Sequence, residues 1–245
     1  MYIKTNALVL REAVYKESSR MLTVLTAEHG KLSVAARGAK RKGSRLAAAC
    51  QPLTYAELTL FTDRGRYTLT EAHPLSFFEG LTEDLRLLSL GAYFAEVLEA
   101  VSDEDSPSPE LLSLGLNALY ALSKNLNRPG LIKAAFELRV ACLAGFTPQV
   151  SACAQCGRAE PENPVFDLTG GILTCRACAS PAGQSLRPSR GTVEALRYLV
   201  SADPKRLYRF TVGEETERQL TKLTEAYLLT QLGTDFPTLG YYKKL

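Results

Sequence analysis

The chain has 245 residues, of which 46% are hydrophobic and 22% charged, and its net charge is +3. This balance is typical of an ordinary globular protein with one sizeable core or two to three smaller ones. No stretch approaches 18 uninterrupted apolar residues, and the polar N-terminal residues do not resemble a signal peptide. We therefore expect a cytoplasmic protein with no membrane contact.

The positive charge is concentrated at the N-terminal end. Residues 1–80 contain 12 Lys and Arg against 7 Asp and Glu, a net charge of +5, whereas residues 81–245 have a net charge of −2. A local excess of this kind is expected on a surface that meets a polyanion, although a charge bias without function would look the same.

The first 75 or so residues are predicted to form β-strands. Residues 21–26 and 31–35 alternate between apolar and polar positions, and together with 7–10, 53–61 and 66–70 they give about five strands. Turns at 28–30 and 63–65, each with a glycine, join the middle and the last pair into hairpins. Five short strands suit a small Greek-key barrel of the OB type, and an SH3-like barrel fits the same periodicity.

From about residue 76 the apolar period becomes helical. A first long helix is expected to end near residue 102. Four more helices are expected at about 108–125, 129–144, 189–201 and 213–232. Ser108 would cap the second helix with Pro109 at its first position, and Gly145 would end the third. Thr211 and Glu214 have the spacing of a capping box for the last.

Four cysteines form two C-x2-C pairs, Cys153 with Cys156 and Cys175 with Cys178, separated by 18 residues. Each pair in a tight turn aims two sulfurs at one point, so two such turns can complete a tetrahedron of thiolates around one Zn²⁺. Four thiolates leave no open position for a substrate, which indicates a structural site. Structural disulfides or a decayed site are the alternatives.

The densest basic run, residues 37–45, contains five cations, two glycines and no acid. A flexible loop of this composition can lay cations along phosphates. Tyr15, Tyr55, Phe61 and Tyr67 are possible base-stacking platforms, although alternating aromatic residues on strands more often belong to a core. The residues predicted to contact nucleic acid are Lys16, Arg20, Lys31, Arg37, Lys40, Arg41, Lys42 and Arg45.

No catalytic motif is present in the sequence. There is no P-loop, no Gly-rich dinucleotide fingerprint and no G-x-S-x-G, and the carboxylates are scattered without a convincing pair. We therefore expect neither a catalytic residue nor a small-molecule substrate. The predicted architecture is an α+β multidomain chain, with an OB-type DNA-binding barrel at 1–78, a helical domain at 79–149 and 183–245, and a four-cysteine zinc insertion at 150–182.

In their order and spacing, these segments resemble the RecO family of bacterial DNA repair proteins. The similar segments cover most of the chain up to about residue 185, and they lie at 7–10, 15–20, 25–32, 36–41, 44–45, 51–53, 93–96, 138–139, 145–148, 153–157, 166–167, 170–171 and 175–178. After residue 185 little resemblance is recognisable.

The resemblance implies a non-enzymatic recombination mediator whose OB fold binds single- and double-stranded DNA. It further implies annealing of complementary strands and assistance in loading RecA onto DNA coated by single-strand-binding protein. The implied partners are RecR and the C-terminal tail of single-strand-binding protein, in the nucleoid-associated cytoplasm. Some family members lack the cysteines. An RNA-binding OB protein of translation or RNA processing and a protein-interaction scaffold remain the alternatives.

Overall fold

The computed structural model describes residues 1–15, 17–180 and 183–245. This part of the chain divides into two compact units, Met1–Lys124 with Phe236–Leu245, and Asn125–Asp235. That division groups the first two helices with the barrel, whereas the sequence predicts a helical domain from residue 79. The predicted domain boundaries remain a prediction. None of the helices in the described ranges combines the length and apolar character that crossing a bilayer requires.

The first unit consists of a β-barrel and three helices. Its elements are β1 (Tyr2–Tyr15), β2 (Ser19–Thr26), β3 (Gly30–Ala36), β4 (Tyr55–Asp63), β5 (Arg66–Ser76), a 3-10 turn (Glu79–Leu81), α1 (Leu85–Val101), α2 (Pro109–Ser123) and, from the C-terminal end, α6 (Pro237–Tyr242). The second unit contains α3 (Pro129–Leu143), β6 (Val165–Asp167), β7 (Ile172–Thr174), β8 (Ser185–Leu186), α4 (Arg190–Ser201) and α5 (Glu214–Leu232).

The five N-terminal strands close into a barrel in the order β1-β2-β3-β5-β4. β1 is long enough to pair antiparallel with both β4 and β2, and its register shifts between Val9 and Arg11 as it passes from one partner to the other. The barrel closes through a short parallel pairing of β3 with β5, in which Val34 lies opposite Tyr67. The predicted OB-type barrel, followed by helices, is confirmed.

The barrel interior is filled by the inward-facing residues of each strand. Leu22 and Val24 of β2 and Leu32 and Val34 of β3 are all at most 2% exposed. The connection between β3 and β4 adds further buried residues to this same core, which are Ala39, Ala49 and Cys50. The connection is therefore held down against one end of the barrel by apolar burial.

The helices of the first unit pack beside the barrel. α1 is capped at its N-terminus by Asp84, whose carboxylate accepts a hydrogen bond of 2.7 Å from the Arg86 backbone N–H. Ser108 lies at the N-cap of α2 and Pro109 at its first position, as predicted, but the Ser108 hydroxyl donates to the Ser106 carbonyl and caps nothing. The prediction of a side-chain cap is wrong there because the preceding turn takes up the hydroxyl.

In the second unit, α3, α4 and α5 pack together, and β7, β6 and β8 form a small antiparallel sheet. α3 ends before Gly145, which has a positive φ of 93°, as predicted. α5 begins after Gly213, so the predicted capping box of Thr211 and Glu214 is wrong. Thr211 lies two residues before the N-cap, too early to bond the first free N–H groups.

Candidate nucleic-acid groove and metal site

A groove of about 820 Å³ runs across the outside of the barrel. Its walls come from β2, β3 and β5, from the β1–β2 and β4–β5 connections, and from the start of the basic loop. The lining residues are Tyr15, Ser18, Ser19, Met21, Ser33, Ala35, Arg37, Gly38, Arg41, Gly65, Arg66, Tyr67 and Thr68. OB folds bind oligonucleotides with this face and these two connections.

The strand registers put the groove floor on the outer face of the barrel. Met21 of β2 lies opposite Ala35 of β3, and Ala35 lies opposite Thr68 of β5. Directly paired residues point to the same face of a sheet, so these three short or slender side chains form one continuous row. The row leaves room above the sheet for a ligand.

Three arginines border this floor. Arg37 and Arg41 come from the basic loop and Arg66 from the start of β5, and all three are exposed. Across residues 1–15, 17–180 and 183–245, no carboxylate pairs with any of them. The groove therefore carries positive charge that the described protein does not neutralise.

The basic loop is a chain of hydrogen-bonded turns. The Lys40 N–H donates to the Ser18 carbonyl at 3.1 Å, and the Gly38 N–H to the Ser19 hydroxyl at 3.3 Å. Gly38, at a φ of 72°, allows the first turn, which the Ala39 N–H closes by donating to the Ala36 carbonyl at 3.5 Å, and the Arg41 N–H closes the next turn by donating to the Gly38 carbonyl. These bonds fix the loop to the β1–β2 connection, so its cations are presented from an anchored backbone.

The structure brings only some of the predicted nucleic-acid contacts together. Arg37 and Arg41 line the groove, and three further cations of the loop are exposed beside them in sequence, namely Lys40, Lys42 and Arg45. Lys31 lies at the far end of β3, about 20 Å from Arg37 along the strand. Its ammonium instead donates to the Glu99 carbonyl at 2.9 Å, near the end of α1.

Arg20, a further predicted contact, does not line the groove. Arg20 forms an ion pair with Glu12, and its side chain is only 24% exposed. Lys16 lies outside the described residues. Sequence reasoning missed Arg66, and the signal that could have found it is the Asp63-Arg64-Gly65-Arg66 turn, which puts two cations at the tip of a hairpin.

Only two of the four predicted base-stacking residues line the groove. Tyr15 and Tyr67 line the groove. The Tyr67 hydroxyl donates to the Asp105 carboxylate at 2.8 Å, and this hydrogen bond raises the pKa of Tyr67. Phe61 lies on the outer face of β4, directly opposite the groove residue Thr68. Tyr55 is at the other end of β4 and does not line the groove.

The four cysteines of the second unit converge on one point. The sulfurs of Cys153, Cys156, Cys175 and Cys178 all lie within 4.8 Å of one another, and none forms a disulfide. The Cys156 and Cys175 sulfurs are 3.8 Å apart. Two thiolates on a tetrahedral Zn²⁺ at about 2.3 Å would be separated by about 3.8 Å, so the donor set fits one ion with four sulfur ligands.

Each cysteine pair is shaped by its own turn. The Gly157 N–H donates to the Cys153 carbonyl at 2.9 Å with Gly157 at a φ of 73°, and the Cys178 N–H donates to the Cys175 carbonyl at 3.0 Å. Backbone N–H groups, that of Cys156 foremost, lower the pKa of Cys153 to about 6. The neighbouring Cys156 sulfur raises the pKa of Cys178 to about 12. One thiolate thus forms readily, and a bound cation would favour ionisation of the rest.

Arg197 of α4 holds the cysteine segment in place, a role that sequence reasoning missed. Its guanidinium donates to the Val150, Ser151 and Ala159 carbonyls at 2.8, 3.0 and 2.5 Å, on both sides of the first cysteine pair. It also pairs with Glu160 at 2.9 Å. Apart from Glu194, which lies three residues before it and 3.0 Å away, its acceptors are distant in sequence, so a local pattern does not reveal them.

Comparison with known proteins agrees with this architecture. Residues 1–78 match the family model described as Recombination protein O N terminal, and residues 82–240 match the one described as Recombination protein O C terminal. The chain belongs to the RecO family. The resemblance predicted from the sequence is confirmed, and the two matches meet at the 3-10 turn (Glu79–Leu81).

Similar full-length relatives bear the name DNA repair protein RecO. That of Acetivibrio thermocellus is 32% identical over 244 residues, which cover 100% of this chain and 97% of the relative. That of Alkaliphilus metalliredigens is 31% identical and both chains are covered completely. That of Bacillus subtilis is 29% identical over 93% of this chain and 88% of its own.

Proposed function

We propose that this RecO-family chain is a non-enzymatic recombination mediator of DNA repair. It binds single- and double-stranded DNA through the barrel groove, anneals complementary strands, and assists loading of RecA onto DNA coated by single-strand-binding protein. The observation that carries the proposal is the groove on the OB face, bordered by Arg37, Arg41 and Arg66 without carboxylate partners in the described ranges. The family membership of the chain supports it.

The groove supplies both kinds of contact that a DNA strand needs. The arginines lie along phosphates and release counterions, which gives affinity for any sequence. Tyr15 lines the groove wall and offers a ring face to unpaired bases. Tyr67 also lines the groove, but its side chain packs against the barrel core and its hydroxyl is bonded to Asp105. Lys40, Lys42 and Arg45 extend the positive surface along the anchored loop and attract a second strand.

Annealing follows from this electrostatics without bond chemistry. Two complementary strands repel each other through their phosphates, and a surface that neutralises both lowers the repulsion that opposes pairing. RecR and the acidic tail of single-strand-binding protein are the proposed protein partners, and the cytoplasmic nucleoid is the proposed place of action. The four cysteines would hold one structural Zn²⁺, whose chemistry here is to cross-link the loop-rich segment.

The decisive experiment replaces Arg37, Arg41 and Arg66 together by alanine. Affinity should fall for all DNA sequences alike, because phosphate contacts carry no sequence information. The slope of log affinity against log salt should flatten by up to about 0.9 per lost contact on duplex and about 0.7 on single strands. A variant with Lys124, Lys205 and Arg209 replaced by alanine removes the same charge from exposed sites elsewhere and should retain the slope. Unchanged affinity and slope in the groove variant would reject the site.

The second measurement is annealing of complementary strands coated with single-strand-binding protein. The wild type should accelerate annealing, and the groove variant should not. Stronger binding of structured RNA than of DNA of equal length would favour an RNA-binding role. Tight partner binding with no nucleic-acid affinity at low salt would favour a scaffold.

A further inference from the structure

An exposed aromatic pair lies on the outside of the barrel beside the groove. Tyr2 of β1 is 65% exposed and Phe61 of β4 is 38% exposed. Their ring centroids are 5.2 Å apart with an interplanar angle of 58°. Exposed aromatic surface is unfavourable in water, so two adjacent rings in this position need a reason.

The pair continues the row of residues that forms the groove floor. Tyr2 lies opposite Phe61, and Phe61 lies opposite Thr68, which is itself a groove residue. Directly paired residues share a face of the sheet and neighbouring strands are about 4.8 Å apart, so the rings begin about one strand beyond the groove floor. The same outer face thus runs without interruption from Met21 to Tyr2.

The barrel core does not depend on this pair. Leu60, which precedes Phe61, points inward and is fully buried, as is Leu58 two residues earlier. Phe61 therefore sits on the opposite face of β4 from the core residues, and its ring packs on Tyr2. The positive charge needed for nucleic acid is nearby, since Arg66 precedes Thr68 by two residues and so shares its face of β5.

We propose that Tyr2 and Phe61 form a base-stacking platform for single-stranded DNA leaving the groove across β5 and β4. The inference rests on the proposed DNA-binding function and adds a preference for unpaired strands. Bases in a duplex are stacked inside the helix and offer no ring face, whereas unpaired bases do. The platform therefore contributes to single-strand affinity and leaves duplex affinity to the arginines.

A tryptophan reporter tests the platform directly, because the 245-residue chain contains no Trp. In the Phe61→Trp variant, titration with a deoxythymidine oligonucleotide should quench and shift the emission, while equal titration with duplex should change it little. Tyr120→Trp is the matched control, since Tyr120 is 51% exposed on α2. Its emission should not respond. An unquenched Trp at position 61 in protein that still binds the oligonucleotide would overturn the proposal.

Affinity measurements give an independent readout. Tyr2→Ala with Phe61→Ala should weaken single-strand binding by about 5- to 150-fold for each stacked base that is lost. The salt slope should stay unchanged since no charge is removed, and duplex affinity should remain within about twofold. Phe61→Leu, which keeps apolar volume without a ring face, should weaken binding, whereas Phe61→Trp should retain it. Tyr120→Ala should have no effect.

The outcomes separate this inference from the function on which it rests. If the arginine variant loses affinity and the aromatic variant does not, the platform is rejected and the groove stands. If neither loses affinity, both are rejected. Equal loss of single-strand and duplex affinity in the aromatic variant, with a lowered melting temperature, would show a purely structural pair and would also reject the platform.

Discussion

The arginines of the groove and two arginines of the second unit, Arg139 and Arg197, lie in opposite surroundings. Arg197 is surrounded by backbone carbonyls and carboxylates of its own segment, and Arg139 donates to two carbonyls at the end of α4 at 2.6 and 2.8 Å. Arg37, Arg41 and Arg66 have no such acceptors in the part of the chain that the structure describes. A cation bound by its own chain stabilises the fold, whereas an unbound one is available to a partner.

The difference follows the groove and not the unit boundary. Within the first unit, Arg11 lies away from the groove and forms a two-pronged pair with Glu99 of α1, with N–O distances of 2.8 to 3.1 Å. Its hydrogen bonds to Glu99 raise the pKa of the guanidinium. The groove lining contains no Asp or Glu, whereas a second cavity of the described structure that also has exposed arginines, Arg176, Arg187 and Arg190, is lined by Glu160 and Glu162 as well. We therefore expect substitutions to separate cleanly into effects on stability and effects on DNA binding.

The largest effect on stability is expected at the cysteine cluster. Cys153→Ser with Cys175→Ser removes one ligand from each pair, and metal binding contributes about 10 to 16 kcal/mol to the folding of zinc-finger peptides. The second unit should lose cooperative unfolding or melt far earlier. Elemental analysis should find about one zinc per chain in the wild type and none in this variant.

The control for the cluster is Cys142→Ser, which removes a thiol outside it and should retain the metal. Wild-type protein purified without added metal and found to contain no zinc would contradict the structural role. So would a cysteine variant with an unchanged melting curve.

The next largest effect is expected at the buried charges between α3 and α5. Lys133 is 4% exposed, and its ammonium lies 2.7 Å from Glu137 and 2.8 Å from Glu225. Lys133→Met leaves both carboxylates without their cation in a buried site and should cost about 3 to 5 kcal/mol in the free energy of unfolding. Denaturant unfolding measures this. Adding Glu137→Gln and Glu225→Gln should restore part of the loss, since the stranded charges are then gone.

The same cluster predicts the alkaline limit of stability. Burial lowers the pKa of Lys133, but Glu137 and Glu225 outweigh it and raise the pKa above the usual 10.5. A raised pKa means that the folded state holds the proton more tightly than the unfolded state. The stabilisation is therefore complete below pH 10.5 and is lost as the pH rises through the folded-state value. Lys133→Met should lack this loss, and an identical alkaline profile in both proteins would contradict it.

A smaller loss of stability is expected at Arg197. Arg197→Ala leaves three carbonyls around the first cysteine pair without their donor and should cost about 2 to 4 kcal/mol. Arg197→Lys should recover only part of this, because an ammonium cannot reproduce the planar fork. DNA affinity should remain that of the wild type. If it fell as in the groove variant, the contrast between bound and unbound cations would be wrong.

Local sequence patterns predict the features that are formed by residues close together in the chain. The two C-x2-C pairs each close within one turn, so their spacing alone indicates the cluster. The alternation in 21–26 and 31–35 locates a hairpin because adjacent strands pair directly. By contrast, the pattern predicts β1 only at 7–10, since these four apolar residues are all buried, whereas the rest of Tyr2–Tyr15 is mostly exposed or half-buried and gives no strong apolar signal.

Contacts made by chain closure are not readable from the sequence. Arg66 lies beside the basic loop only because β3 and β5 pair in parallel. Lys31 lies away from that loop because the length of β3 separates them. α6 is six residues long, too short for its period to stand out, and it packs on α1 through distant contacts, such as that of the Thr238 N–H with the Glu96 carboxylate at 3.1 Å. The positions of Arg66 and Lys31 relative to the basic loop and the packing of α6 on α1 both depend on tertiary structure.

The smallest effect on stability is expected in the groove itself. Arg41 is exposed and has no ion pair in the described ranges, and the end of its side chain lies close to Gly38. Arg41→Ala should change the free energy of unfolding by no more than about 0.5 kcal/mol, as is usual for surface substitutions. Its DNA affinity should nevertheless fall and its salt slope flatten, the reverse of Arg197→Ala. Thermal unfolding and salt-dependent binding, measured on both variants side by side, test this pair of opposites. A marked loss of stability at Arg41 would mean that the basic loop needs its arginine to fold, and the charge would then no longer be free for DNA.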